Sequence, residues 1–424
     1  MTKTQWILGQ ITRKLWFRSA LFAVLAVLTA LLAIALKPVL PASASGLTGA
    51  DSVDKILTIL ASSMLAVTTF SLNIVVSAYN TASSSVTPRA TRLLLEDRTT
   101  QNVLATFIGS FLYSLVGIIA LSMGAFGAHG RVILFFVTLA VIVMIVLTLL
   151  RWIQHLALFG RMDDTCQRVE LATVRALKER LSTPLMGCAP WPADEQSFDA
   201  GYVLTSSGVG YLQHIDMQRL ATLAEEKSID IFLEVQPGAF LHGTTTLLRT
   251  GIAPDEETAS EFRASFTVGE QRSFEQDPRF GLCVLSEIAS RALSPAVNAP
   301  GTAIDIIGRA VRILSADNKT ETDKPLYPRL HMRPLMMRDL FDDVFTAIAR
   351  DGAGMLEVQI RLHKALAALS RLRPEIYAEE AYRHSAGALR RAKKVMSSED
   401  DIAMLTTLFV RLNVPDTHPS RDNM

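Results

Sequence analysis

Long runs of apolar residues dominate the first third of the chain. Four runs, each close to the ~20 residues that a helix needs to cross a bilayer, cover residues 20–36, 56–78, 103–126 and 132–150. None of these runs contains Asp, Glu, Lys, Arg or His. The pattern predicts an N-terminal domain, residues 1–150, with four transmembrane helices.

Basic residues in the short connections predict how these helices are oriented, because Lys and Arg are enriched on the cytoplasmic side. They are frequent in the N-terminal tail, between the second and third runs, and after the fourth run: Lys3, Arg13, Lys14, Arg18, Arg89, Arg92, Arg98, Arg151, Arg161 and Arg168. The other two connections hold only Lys37, Lys55 and Arg131. Both termini are therefore predicted to be cytoplasmic.

The rest of the chain reads as a soluble protein whose pattern changes along its length. Within it, residues 202–205 and 210–214 predict a hairpin and residues 262–268 a further strand. Four segments are predicted: a helical stalk and linker (151–190), a β-rich subdomain (191–270), an α-helical subdomain (271–413) and a disordered tail (414–424). The predicted fold class is α+β, a four-helix transmembrane domain followed by a mixed cytoplasmic domain.

Uncharged polar residues recur at helical spacing along the second apolar run. At about 100° per residue they fall within one narrow stripe: Ser62, Thr69, Asn73, Ser77, Asn80 and Ser84. Two interpretations remain open, because such side chains either form hydrogen bonds to another helix or line a water-filled pathway in an oligomer. The lack of charged residues within the four runs argues against a proton-coupled pump and is compatible with a passive channel.

Composition and motifs narrow the chemistry further. A formal net charge of +1 supplies no global field for nucleic acid. The three cysteines form no CxxC pair, which predicts reduced thiols rather than disulfides or a zinc site. The histidines lack paired metal-ligand spacing and no catalytic motif is found. We therefore predict no enzyme activity, no metal site, no cofactor and no nucleic-acid partner.

Two blocks of sequence resemble a family of bacterial predicted membrane proteins, domain of unknown function 2254. The first block, residues 70–118, contains Thr87-Pro88-Arg89 and Asp97-Arg98-x-x-Gln101. The second, residues 273–303, contains Gln276-Asp277-Pro278, Phe280-Gly281 and an Ala-Leu-Ser-Pro-x-x-Asn loop that ends at Thr302-Ala303. The family has Asp where this chain has Ala299. The resemblance implies a multi-pass protein of the bacterial inner (cytoplasmic) membrane and implies no activity.

Two groups of residues in these blocks are candidate sites. Arg89, Asp97, Arg98 and Gln101 follow a predicted membrane helix, and mixed charge there predicts coupling between membrane and cytoplasmic domains, with Glu275, Asp277 and Arg279 as candidate partners. The second group lies in the second block, residues 273–303, which we call the signature block and whose Ala-Leu-Ser-Pro-x-x-Asn loop we call the signature loop. Its candidate residues are Asp277, Ser294, Pro295, Asn298 and Thr302. In the signature loop Asn298 and Thr302 are predicted to accept from free backbone N–H groups and to start the next helix.

The favoured function is an oligomeric, channel-like membrane protein. Its polar second helix would line a pathway for ions, and its cytoplasmic domain would assemble or gate it. A four-helix protomer is too small to enclose a pathway alone, which predicts a homo-oligomer in the lipid bilayer. The alternative is a membrane-anchored scaffold or sensor whose cytoplasmic domain binds a protein or a small ligand.

Overall fold

A computed structural model shows two compact units, the first ending at Thr165 and the second beginning at Cys166. Each unit has hydrophobic clusters of its own. The described residues are 52–95, 97–123, 128–192, 201–316 and 324–413, with the isolated positions 17, 20, 21, 24, 27 and 28. Most of the first predicted membrane run, 20–36, and the predicted tail, 414–424, lie outside them.

The first unit contains three of the four predicted membrane helices. Its helices are α1 (Val53–Ser85), α2 (Pro88–Leu95), α3 (Arg98–Ser122) and α4 (Ala128–Leu156). Within the described residues, α1, α3 and α4 are long and apolar enough to span a bilayer. The 33 residues of α1 extend over about 50 Å, which exceeds the ~30 Å hydrocarbon core. One end of α1 must therefore reach beyond the core.

Apolar side chains from α1, α3 and α4 form the core of the first unit. The largest contributors are Leu57, Leu60 and Met64 from α1, Val103, Phe107 and Tyr113 from α3, and Ile145 and Trp152 from α4. Gly117 permits the close approach of α3 to α1, because a Cβ at this position would lie 2.9 Å from Leu57 Cδ1. Trp152 is only 2% exposed, so it belongs to this core and does not anchor a helix end at the lipid interface.

Eight strands in the described part of the second unit form two sheets. In chain order they are β1 (Cys188–Pro190), β2 (Tyr202–Thr205), β3 (Gly210–Ile215), β4 (Ile231–Leu233), β5 (Phe240–Leu241), β6 (Thr246–Thr250), β7 (Phe266–Gly269) and β8 (Tyr327–Met332). The five-stranded sheet has the order β1-β8-β4-β6-β2 and the three-stranded sheet the order β5-β3-β7. β8 runs parallel to β1 and to β4, and the other pairs are antiparallel.

Strand pairing differs from the pattern that the sequence predicts. The predicted hairpin of 202–205 and 210–214 does not form, because β2 pairs with β6 whereas β3 pairs with β5 and β7. The predicted strand 262–268 is partly helical, since a helix occupies Glu256–Ala264 and only β7 follows it. β8 lies within the segment predicted to be helical and joins the larger sheet. The mixed α+β class is as predicted.

Nine helices in the described residues complete the second unit: α5 (Met162–Ser182), α6 (Met217–Glu226), α7 (Glu256–Ala264), α8 (Pro278–Ala292), α9 (Pro300–Leu314), α10 (Met337–Asp351), α11 (Leu356–Leu372), α12 (Pro374–Val395) and α13 (Glu399–Asn413). Two contacts fix α5 against later helices. Gly281 of α8 lies so close to Thr173 of α5 that a Cβ at Gly281 would overlap the Thr173 hydroxyl. Glu170 of α5 pairs with Arg309 at 2.9 Å and with Arg312 at 2.6 Å, both on α9.

Candidate functional site

The polar stripe predicted from the sequence forms a continuous exposed face of α1. All six of its side chains, Ser62, Thr69, Asn73, Ser77, Asn80 and Ser84, are exposed in the described structure. At about 100° per residue they occupy an arc about 80° wide. We call this set the polar face of α1.

The opposite side of the same helix is buried against its neighbours. Val53, Leu57, Leu60, Met64 and Ser71 are each less than a tenth exposed. Helical geometry puts the centre of this buried face about 180° from the centre of the polar face. The polar face therefore points away from the side of α1 that contacts α3 and α4.

Hydrogen bonding divides the polar face into two kinds of residue. Ser62, Thr69 and Ser84 donate their hydroxyl protons to carbonyl oxygens three or four residues earlier in α1, at 3.0–3.1 Å. Asn73, Ser77 and Asn80 make no side-chain hydrogen bond to a described residue. Because a primary amide offers two donor protons and an acceptor oxygen, Asn73 and Asn80 have the largest unmet hydrogen-bonding capacity on this face.

Apolar side chains flank the polar face on both sides. Phe70, Leu72 and Val76 are 48–66% exposed and lie beside the polar positions on the helix surface, whereas the exposed Ile59 lies at the edge of the arc, at the same angle as Ser77. Such residues are suited to contact with lipid or with another apolar helix. α1 thus combines a narrow hydrogen-bonding face with apolar margins.

Two of the predicted coupling residues, Asp97 and Gln101, make contacts around the junction of α2 and α3. Asp97 caps α3, because its Oδ2 accepts from the backbone N–H and from the hydroxyl of Thr100, both at 2.7 Å. The same Oδ2 lies 3.1 Å from Nε2 of His155 at the end of α4. Gln101 donates through Nε2 to the carbonyl of Leu95 at 2.9 Å. These partners lie in the same unit, so coupling to the second unit stays a prediction.

The predicted coupling group also contains two arginines, and the histidine that contacts Asp97 lies outside it. Arg89 and Arg98 have exposed side chains. The sequence did not single out His155, which lies in the helical stalk predicted for residues 151–190. Its contact with Asp97 joins residues far apart in the chain.

The first half of the signature block holds a buried ion pair. Asp277 is 2% exposed and caps α8 through the backbone N–H of Phe280. Arg272 donates to both of its carboxylate oxygens, at 2.8 and 3.0 Å. Burial raises the pKa of the Asp277 carboxyl, and the pairing with Arg272 acts in the opposite direction. The adjacent Gln276 accepts the backbone N–H of Ile215 at 3.0 Å and so joins this turn to β3.

The candidate partners beside Asp277 also have contacts within the second unit. Arg279 binds Asp343 through two nitrogens, at 2.6 and 3.1 Å, and Asp339 at 2.8 Å. Glu275 donates its backbone N–H to the hydroxyl of Ser273 at 3.3 Å. Arg279 therefore connects α8 to α10.

The second half of the signature block differs in detail from the prediction. Ala299, not Asn298, is the N-cap of α9, and no side chain caps the helix. Asn298 adopts a left-handed conformation with φ of 46°, which Asn tolerates better than most residues. Its backbone N–H donates to the carbonyl of Ser294 at 2.8 Å. Pro295 is exposed and Thr302 is half-buried in the first turn of α9. The loop therefore turns through backbone geometry.

A cleft of about 540 Å³ lies between α8 and α10. Most of the residues that line it are polar or charged by type: Cys283, Ser286, Glu287, Ser290, Arg291, Asp342, Asp343, Thr346, Ala347 and Arg350. The Ser286 hydroxyl is buried and has no hydrogen-bond partner in the described structure. Burial, and secondarily Asp343, raises the pKa of the Cys283 thiol to about 11, so this thiol is neutral near pH 7.

The described residues hold no candidate metal site, and two carboxylates of the cleft are ion-paired. Among the described residues, no three His, Cys, Asp or Glu side chains come together as a candidate metal site. Asp342 and Asp343 in the cleft are each paired with an arginine, Arg383 and Arg279 respectively. The arrangement is suited to binding a polar molecule.

Comparisons with known proteins agree with the sequence resemblance. The profile of the family described as "Predicted membrane protein (DUF2254)" matches residues 12–368. An uncharacterized protein of Mycobacterium tuberculosis and one of Mycobacterium bovis are each 28% identical to this chain, in an alignment 277 residues long that covers 59% of the chain. The chain spans about half the length of these curated relatives. No solved structure matches the chain.

Proposed function

Because this chain belongs to the predicted membrane protein family DUF2254, whose description assigns no activity, we propose a function from the geometry of α1. The protein is an oligomeric, channel-like protein of the bacterial inner membrane, and the polar face of α1 lines its pathway. The single observation that carries this proposal is the exposure of all six polar side chains opposite the buried face of the helix.

The energetics of the Asn73 amide support this proposal. Leaving an amide without hydrogen bonds in hydrocarbon costs roughly 2–7 kcal/mol, and α1 presents Asn73 on its exposed side within the apolar run 56–78. Lipid chains offer neither donors nor acceptors. Water, or a polar partner, must therefore cover the polar face. A water-filled pathway meets this need along the entire face.

The apolar margins of α1 support an oligomer. A polar stripe only about 80° wide covers a small part of the wall of a pore. Several copies of α1 arranged around one axis would complete the wall, with the polar faces inward and Phe70, Leu72 and Val76 at the contacts between copies. The second unit, with the predicted cytoplasmic location, would assemble or gate this ring.

Planar-bilayer recording of the purified full chain tests the proposal. We expect ionic current from the wild type and a strongly reduced current from Asn73→Leu, because a ring of leucine side chains would replace amides with an apolar constriction. Thr68→Val is the matched control, since Thr68 donates its hydroxyl proton to Met64 within the helix at 2.6 Å and lies away from the polar face.

Two outcomes would contradict the proposal. One is a lack of current from wild-type protein that size-exclusion chromatography finds folded. The other is a current that Asn73→Leu and Thr68→Val change equally.

The second candidate function is a membrane-anchored sensor or scaffold. The cleft between α8 and α10 favours it, because its volume of about 540 Å³ lies within the usual range of small-molecule sites. Under this alternative the polar face of α1 binds another helix. Folded protein that carries no current and gains stability with a small polar ligand would favour it.

A further inference from the structure

Only two charged residues occur on α1, and they are adjacent in its first turn. Asp54 and Lys55 are both exposed, and every other residue from Val53 to Ser85 is uncharged. Lys55 precedes Ser62 by seven residues, so it lies about 20° from Ser62 around the helix and about 10 Å from it along the axis. This position is within the arc of the polar face.

Asp54 lies on a different side of the helix from Lys55. Adjacent residues differ by about 100°, so Asp54 projects toward the apolar margin that also carries Leu72. Lys55 forms no ion pair with a described residue. A pathway lined by the polar face would therefore meet the ammonium group of Lys55 at one mouth and would meet no carboxylate of α1.

The N-terminus of α1 adds positive electrostatic potential at the same mouth as Lys55. The first turn of a helix carries partial positive charge, because its backbone N–H groups have no partners within the helix. Lys55 lies in this turn. In a ring of copies, the ammonium groups and the helix N-termini would all surround one mouth of the pathway.

We infer that the pathway selects for small inorganic anions, with Lys55 as the residue that determines the selectivity. This inference rests on the proposed channel function and identifies its permeant class. Rings of basic side chains favour anions at pore mouths, whereas rings of carboxylates favour cations. Beyond Lys55, the side chains of Asn73, Ser77 and Asn80, which make no hydrogen bond to a described residue, donate hydrogen bonds to the anion in place of its water.

The reversal potential of currents in a KCl gradient across a planar bilayer tests this inference on the full chain. The wild-type reversal potential is expected to lie toward that of chloride, with a chloride permeability at least about fivefold that of potassium, which is the Boltzmann ratio for one unit charge acting at about 4 Å through water. Lys55→Gln is expected to bring the ratio close to one, and Lys55→Glu to favour potassium.

Asp54→Asn is the matched control, since it changes the neighbouring charge by one unit outside the polar face. It is expected to change the permeability ratio much less than Lys55→Gln does. A potassium-selective wild type, or a ratio that Lys55→Gln leaves unchanged, would overturn the inference while the channel function stands. Absence of any current would overturn the channel function, and the inference with it.

Discussion

Ala299 occupies the N-cap position of α9 and cannot cap it, because its side chain has no acceptor. The equivalent position before α8 is Asp277, which also precedes a proline and accepts the backbone N–H of Phe280 at 3.2 Å. The family that this chain resembles has Asp at the position of Ala299. The chain therefore lacks one capping hydrogen bond that a single substitution would restore.

Ala299→Asp is expected to stabilise α9 by about 0.5–2 kcal/mol, since its carboxylate would accept a backbone N–H of the first helical turn. Slower hydrogen–deuterium exchange in residues 300–314 is the measurement. Ala296→Asp places the same charge on an exposed position of the same loop and is expected to leave exchange in α9 unchanged. If exchange in residues 300–314 slowed equally in both variants, the added charge and not a capping hydrogen bond would be the cause, which would contradict the prediction.

Parts of the candidate site could not be predicted because they depend on polar contacts between single residues that are far apart in the sequence. The polar face follows from spacing within one helix, so the sequence is sufficient to identify it. The contact of Asp97 with His155 joins residues that are far apart in sequence, and no local pattern marks such a pair. The exposure of the polar face also depends on which side of α1 meets α3 and α4, and this is a property of the folded unit.

Gly281 of α8 lies directly against Thr173 of α5. A Cβ at this position would overlap the Thr173 hydroxyl, which donates to the carbonyl of Val169 within α5 at 2.6 Å. Glycine in a helix interior otherwise costs about 1 kcal/mol relative to alanine. The close contact between α5 and α8 is thus the reason for a glycine here.

Gly281→Ala is expected to destabilise the second unit by about 1–3 kcal/mol, because overpacking outweighs the better helix propensity of alanine. Chemical denaturation of the full chain in detergent measures the change. Gly308→Ala is the control, since a Cβ there meets no atom closer than 3.9 Å and alanine should stabilise α9. In a double-mutant cycle, Thr173→Ala should recover part of the loss. If the two substitutions changed the free energy of unfolding strictly additively, the contact between Gly281 and Thr173 would be contradicted.

The sequence predicts the membrane helices better than it predicts strand pairing. Helices depend on residues close together in the chain, whereas strands pair with distant segments. Helices α1, α3 and α4 follow from local hydropathy, since each must be apolar to lie in lipid. Strand partners depend on pairing between distant segments, so β2 and β3 resemble a hairpin in sequence and yet belong to different sheets. β8 escaped prediction because its short Tyr327–Met332 segment contains Pro328 and gains its partners only by pairing with β1 and β4.

On the scale of the whole molecule, the chain combines a membrane unit with a second unit of mixed α+β structure. The membrane unit carries the polar face of α1, and the second unit carries the cleft between α8 and α10. The two candidate functions thus belong to different units. A measurement of water access along α1 separates them, because only a channel requires water along the polar face.

Cysteine accessibility along α1 is that measurement. Single cysteines are introduced in a background without Cys166, Cys188 and Cys283, and are treated with a charged, membrane-impermeant methanethiosulfonate reagent during recording. We expect modification and loss of current at Thr69→Cys, Asn73→Cys and Asn80→Cys, because thiolates form and react only where water is present.

Two controls lie on other sides of the same helix. Ser71→Cys on the buried face and Leu72→Cys on an apolar margin, about 100° from the centre of the polar face, are expected to react slowly and to keep their current. Reaction that follows the helical period of the polar face would establish a water-filled pathway along α1. Equal protection of all five cysteines, beside a reactive Arg89→Cys that shows the reagent to be active, would contradict it.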